Sequence, residues 1–230
     1  MLTKRKSKRQ FRLAVNSVSR FSPGTSRAIA KRPHHAPVKT IERVGTARLP
    51  TEYGEFRIIG YRSLTSDEEF VALVRGELRA DRPTLVRIHS QCLTGDVFGS
   101  VKCDCGRQLH AAMRLIASEG CGVIVYQQQE GRGIGLINEI RAYALQDAGA
   151  TEAHKCLGLE VDLRQYEQCA EILLDVGLSQ VRVLSSNPEK IRAIKASGLE
   201  VVARLALEPP PDATPNYLGA RKERVGTGWN

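Results

Sequence analysis

The stretch Arg107-Gln-Leu-His-Ala-Ala-Met-Arg-Leu-Ile-Ala-Ser-Glu-Gly-Cys-Gly-Val-Ile-Val-Tyr126 decides the fold class. Apolar side chains recur three and four residues apart from Arg107 to Ala117, which is the period of an amphipathic helix. Gly122 to Tyr126 follows as a short apolar, β-branched run and reads as a strand. The alternation continues downstream. Helices are expected over Ile134 to Asp147, Tyr166 to Leu174 and Pro188 to Ala196, the first and last closed by Gly149 and Gly198. Val181 to Leu184 and Leu199 to Leu207 read as strands between and after them, and the tail beyond Pro209 as a proline-rich loop. Upstream, Glu55 to Tyr61, Glu69 to Val74 and Thr84 to His89 are β-branched or aromatic runs bounded by turn formers. Helices set between apolar strands, behind a β-rich N-terminal half, imply an α/β fold with a layered mixed sheet and flanking helices.

The chain has 230 residues, 42% of them apolar, enough for a substantial core. No run approaches the roughly eighteen apolar residues of a membrane span, so no membrane partner is expected. The formal charge of +9 is unevenly placed. Residues 1–41 hold eleven of the 34 Lys and Arg and no acid, which leaves 23 basic against 25 acidic residues in the remainder. The expected organisation is a basic, disordered extension over 1–41, with Arg32 to Val38 as hinge, and one domain over 42–230. An arm of Arg and Ser without acids also fits organelle targeting, but no apolar segment follows that would make it a secretory signal. A cytoplasmic protein with free thiols is therefore expected, and a body at about −2 argues against nucleic acid as the partner.

Three of the six cysteines, Cys92, Cys103 and Cys105, crowd into fourteen residues. A structural zinc site takes four protein ligands and a catalytic one three, so the trio fits an open, catalytic site; a structural site and plain buried thiols are the alternatives. His89 could be a fourth ligand, but its odd spacing from Cys92 points it to the other strand face, where it would be a core histidine. Zinc lowers the pKa of bound water from about 15.7 to about 7, and three thiolates temper that effect, so a nearby proton acceptor is expected. Three further groups accompany the trio. Gln127-Gln-Gln-Glu-Gly-Arg-Gly-Ile-Gly-Leu136 is a glycine-rich strand-to-helix turn suited to an anion or a polar ring edge, or simply a tight turn. Asp162-Leu-Arg164 is a surface ion pair on its own merits, and Tyr143, on the face of Leu136 and Ile140, a half-buried core tyrosine. In Ser185-Ser-Asn-Pro-Glu-Lys190, Asn187 can cap a helix that Pro188 opens, exposing amides beside Lys190 as a phosphate seat.

These stretches, in this order, closely resemble GTP cyclohydrolase II, the family that opens riboflavin biosynthesis, from about Arg43 to the end of the chain. His89-Ser-Gln-Cys-Leu-Thr-Gly-Asp96 with Cys103-Asp-Cys105, and Gln129-Glu-Gly-Arg-Gly-Ile-Gly-Leu136, carry the resemblance. It implies one catalytic zinc per subunit on Cys92, Cys103 and Cys105, used to attack C8 of the guanine and open the imidazole ring. The products would be formate, pyrophosphate and 2,5-diamino-6-ribosylamino-4(3H)-pyrimidinone 5′-phosphate. Asp162 would accept a proton, Arg164 would meet the α-phosphate, and Tyr143 would lie near the reacting base. GTP would contact Arg87, Ile88, His89, Ser90, Gln91, Gln108, Glu130, Gly131, Arg132, Ser185 and Lys190, with Mg2+ on its triphosphate. A homodimer of α/β fold is also implied. The sequence departs from the family pattern at Gln91, where Glu is usual, and at Ser185, where Thr is usual. Gly149 to His154 is about two residues shorter than usual, which leaves Thr151 as candidate for a threonine contact, and the ending Val225 to Asn230 also differs. Gln91 and the short loop favour a rival reading, a divergent relative acting on another nucleotide or in pyrimidine breakdown. The basic arm favours another, a zinc-stabilised nucleic-acid-binding protein.

Overall fold

A computed structural model of the protein describes residues 38–149, 153–159 and 162–207. The arm through residue 37, the Thr151 candidate and the tail beyond 207 lie outside the described residues. Seven strands form one mixed sheet in the order β1-β2-β3-β5-β4-β6-β7. They are β1 (Ile41–Thr51), β2 (Gly54–Ser63), β3 (Glu69–Arg75), β4 (Thr84–Ser90), β5 (Gly122–Gln127), β6 (Gln180–Leu184) and β7 (Glu200–Leu205). The helices are α1 (Leu93–Asp96), α2 (Cys105–Glu119), α3 (Leu136–Asp147), α4 (Ala153–Cys156), α5 (Glu167–Asp175) and α6 (Pro188–Ala196). Strands β1, β2, β3 and β5 pair antiparallel in sequence, whereas β5, β4, β6 and β7 pair parallel. The parallel half follows from the helices between its strands, since a parallel return needs a long crossover.

Alternation along the strands sorts the core to two faces. Val86 and Ile88 of β4 and Val123 and Val125 of β5 pack with Ile172, Leu173, Ile191 and Ile194 from α5 and α6. Leu85 and Ile124 turn the other way and pack with Ala112, Met113 and Ile116 of α2. Helices thus cover both faces of the parallel half, and its strands are buried throughout. Strand β4 lies between β5 and β6, so the chain leaves it to one side through α2 and later returns on the other. A crevice forms at such a reversal, outside the carboxyl ends of the strands.

Two expectations change. Strand β1 was not foreseen, because Ile41–Thr51 is polar, contains Pro50 and is mostly exposed. Its pairing with β2 across a tight turn makes it a strand, with Thr51 Oγ1 donating to Gly54 O at 2.7 Å and Gly54 at φ 100°. Ile41 is fully buried and Thr40 N donates to Glu171 Oε1 at 3.0 Å, so packing reaches into the last residues assigned to the extension. Helix α3 begins at Leu136 rather than Ile134, because Gly131, Arg132, Gly133 and Gly135 all have positive φ and the chain cannot be helical there.

Candidate active site

The crevice is built from three loops, each following a parallel strand. Cys92 lies two residues beyond β4 and caps α1; Cys103 and Cys105 flank the start of α2, where the helix dipole favours negative sulfur. The two segments touch so closely that a Cβ on Gly106 would lie 2.1 Å from the carbonyl oxygen of Gly95. As a result the Cys92 and Cys103 sulfurs are 3.6 Å apart, and all three lie within 4.8 Å of one another. A tetrahedral zinc with Zn–S of about 2.3 Å sets its sulfurs about 3.8 Å apart, so the trio fits the ion and leaves a fourth position open. Hydrogen bonds from Cys103 and Cys105 hold the Cys92 thiol down at about 2. Cys103 is drawn down by Cys105, but its bond with Cys92 and burial outweigh this and push it up to about 11. Cys105 is likewise raised, by Cys103, Cys92 and burial. One sulfur readily carries a charge and its neighbours resist a second and third, which a cation would relieve.

His89 is a buried partner of the loop and stands outside the sulfur group. Its Nε2 lies 3.0 Å from Asp96 Oδ1, its Nδ1 accepts from Arg87 Nε at 3.3 Å, and its ring stacks on Tyr126. Burial pushes its pKa down to about 4, against the pull of Asp96. Asp96 also accepts from Cys92 N at 3.0 Å and Tyr126 Oη at 2.8 Å, so it fixes the first cysteine's backbone. Glu130 does the same for the next residue, accepting from Leu93 N at 2.9 Å.

The same cleft carries a cluster of cations. Arg87 is buried, donating to Gln108 Oε1 at 2.6 Å and Leu184 O at 3.1 Å. Lys190 is buried, its Nζ donating to Ile88 O at 2.9 Å, and burial with Arg87 and Arg164 nearby holds its pKa well below the usual lysine value. Arg164 and Lys190 both lie over the Tyr166 ring, at 5.8 and 5.3 Å. Asn187 caps α6, accepting from Glu189 N at 2.8 Å with Pro188 in the first turn, as the sequence implied. The cleft is open to solvent and is lined by both the sulfur group and these cationic side chains.

Arg87, Ser90, Gln91, Gln108, Glu130, Gly131, Arg132, Arg164, Ser185 and Lys190 line the cleft with the three cysteines. Ile88 does not; it packs in the core and only its carbonyl reaches Lys190. Tyr143 and Asp162 stand just behind the lining. Tyr143 is no core residue: its hydroxyl is 3.2 Å from Thr94 Oγ1, which is 3.5 Å from Cys92 Sγ. Asp162 is paired with Arg164, whose Nε lies 2.8 Å from Asp162 Oδ1, and Leu163 N donates to Arg132 O at 2.9 Å, tying this loop to the glycine turn. Arg132 holds φ 58°, a strained conformation for a residue with a side chain. The sequence reading missed Asp104 and Glu139 in the lining, and Asp96 behind it. Asp96 had a visible signal, four residues past Cys92 at a helical turn; Glu139 had none, a lone acid between Asn138 and Ile140 on a helix.

Fold and site together define an α/β protein with a three-thiol, metal-type centre and a cationic cleft at the carboxyl ends of parallel strands. A family profile described as GTP cyclohydrolase II matches residues 42–206, and the chain belongs to that enzyme family. A riboflavin biosynthesis protein RibBA of Chlorobium phaeovibrioides is 47% identical over 191 residues, covering 82% of this chain and 47% of its own length. The RibBA of Bacillus cytotoxicus is 48% identical over 201 residues, with 86% and 50% covered. The chain thus spans about half the length of the curated relatives it matches. A two-domain 3,4-dihydroxy-2-butanone 4-phosphate synthase, RibBX, from A. baumannii overlays at a TM-score of 0.43 and 24% identity over 75% of this chain and 41% of that one, too distant to carry an argument.

Proposed function

We propose that the protein opens the guanine ring of GTP in riboflavin biosynthesis, releasing formate and pyrophosphate and leaving 2,5-diamino-6-ribosylamino-4(3H)-pyrimidinone 5′-phosphate. The observation that carries this reading is the three-sulfur group sharing one cleft with Arg87, Arg164 and Lys190. Cys92, Cys103 and Cys105 would hold a zinc ion, one per subunit, which supplies Lewis-acid activation of water for attack at C8. The cluster of cations binds the triphosphate, with Mg2+ neutralising the remaining charge. Arg164 meets the α-phosphate, and its pairing with Asp162 keeps that guanidinium aimed at the cleft. The same pairing holds Asp162 below the usual carboxylate range despite its burial, so it is ionised and able to accept a proton. Tyr143, one hydroxyl away from Cys92, stands beside the reacting end of the base. Gln91 draws the Glu130 pKa down, where a second carboxylate in its place would push it up. A homodimer is part of the reading, supported by the exposed Val97, Phe98 and Val101 beside the site. A cytoplasmic setting, where thiols stay reduced, completes it.

Incubating the zinc-replete protein with GTP and Mg2+ tests the proposal. Formate, pyrophosphate and a diaminopyrimidine in equal amounts are expected, and their absence would sink it. Cys103→Ser is expected to lose both metal and turnover.

A further inference from the structure

Glu139 lines the cleft, and the reaction proposed above gives it no task. It stands on α3 four residues before Tyr143, so both side chains leave the same helix face. That face runs from the sulfur group, which Tyr143 approaches through Thr94, to the glycine turn, which Glu139 touches. The carboxylate lies against Gly131, where a Cβ would stand 3.2 Å from Glu139 Cβ and 3.6 Å from Oε2. His154 Nε2 lies 3.1 Å from the same Oε2, and both side chains are only 12% exposed. Among the described residues His154 is the only side-chain partner of Glu139. One carboxylate oxygen is therefore anchored, and among the described residues no side-chain donor reaches the other. Such a group is costly in a ligand-free site and becomes favourable when a ligand brings N–H donors.

Guanine carries two such donors side by side, the N1–H and the 2-amino group, on the edge farthest from C8. Adenine presents an acceptor at N1, and hypoxanthine keeps N1–H but lacks the amino group. One helical turn, about 5.4 Å, separates Tyr143 from Glu139, comparable to the span of a purine from C8 to that edge. We infer that Glu139, held in place by His154, is the specificity-determining residue that reads the N1–H and 2-amino edge of guanine. The inference rests on the GTP reading above.

The test compares GTP with inosine 5′-triphosphate, which lacks only the 2-amino group, on the zinc-replete full chain. The parent is expected to favour GTP in kcat/KM by about tenfold or more, the scale of one hydrogen bond lost to a charged acceptor. Glu139→Gln, which replaces one acceptor by a donor, is expected to lose about tenfold on GTP and under about threefold on the inosine nucleotide, so the preference collapses. Surviving turnover of the second nucleotide shows that the site is folded. His154→Ala should move the ratio the same way by less, and His154→Gln, which keeps an N–H donor, should restore it. An unchanged ratio in Glu139→Gln, or equal losses on both nucleotides, would overturn the inference. Should that variant be insoluble, Glu139→Asp reads the same ratio: a shift supports the assignment and no shift refutes it. If the parent turns over neither nucleotide, the GTP reading itself fails, before any variant is compared.

Discussion

Replacing Gly106 by alanine probes the contact that brings the cysteines together without touching a ligand. Its Cβ would lie 2.1 Å from the Gly95 carbonyl oxygen and 2.8 Å from its carbon, both backbone atoms that cannot rotate aside. Restoring ordinary contact distance requires the two segments to part by about 1 Å. Cys92 lies on one segment, and Cys103 and Cys105 on the other. Metal sites hold their ligand distances within about 0.2 Å, so the shift exceeds what a three-sulfur site accommodates. Two effects compete in the free energy. Alanine in a helix gains about 0.5–1 kcal/mol over glycine, while overpacking a tight contact costs about 1–3 kcal/mol. The clash is with backbone and wins, leaving the variant about 1–2 kcal/mol less stable, a fall of roughly 2–8 °C in Tm for a domain of this size. Melting in the presence of a chelator isolates this effect from metal linkage, and chelator competition gives the zinc affinity, expected to drop at least tenfold. Gly45→Ala is the control, since nothing lies within 4 Å of a Cβ there. A Gly106→Ala protein that binds zinc like the parent and melts at or above it would refute the reasoning.

Lys190 titrates below the ordinary lysine range in the folded protein, so the folded state sheds its proton first. Stability of the ligand-free protein should then rise with pH between that depressed value and about 10.4, and level off beyond it. Tripolyphosphate brings negative charge and reverses the shift; calorimetry in two buffers should show proton uptake on binding, absent in Lys190→Met. Asp175 accepts from Tyr61 Oη at 2.8 Å and from Arg43 Nη2 at 2.7 Å, and these bonds outweigh burial and hold it below the usual carboxylate value. Its contribution is complete at neutral pH and is lost as pH falls below about 3.9 toward the folded value. Asp175→Asn should therefore cost about 1–2 kcal/mol in urea unfolding at pH 7 and little at pH 2. Asn187→Ala removes the α6 cap and should cost about 1 kcal/mol, read in the same assay.

The periodicities that sort helix from strand were legible along most of the body, because burial there is strong enough to print itself on the residues. Pro188–Ala196 was readable end to end, since Asn187, Pro188 and Gly198 mark its limits chemically. β1 was not, because its stability comes from pairing with β2 and leaves no apolar alternation of its own. The start of α3 was misplaced for a local reason, a run of left-handed residues that periodicity does not register.

By itself the sequence determined which residues could carry chemistry: three cysteines within fourteen positions, a glycine-rich turn, Asp162 with Arg164, and Lys190. Only the tertiary structure decided which of them meet. Strand β4 between β5 and β6 brings residues 87–92, 130–132 and 184–190 to one crevice, a long-range consequence of topology. It also turned His89 toward Asp96, lifted Tyr143 off the core and onto Thr94, and set Glu139 against His154 fifteen residues away. Hydrogen bonds of that kind depend on where side chains arrive in space, which spacing along the chain does not encode.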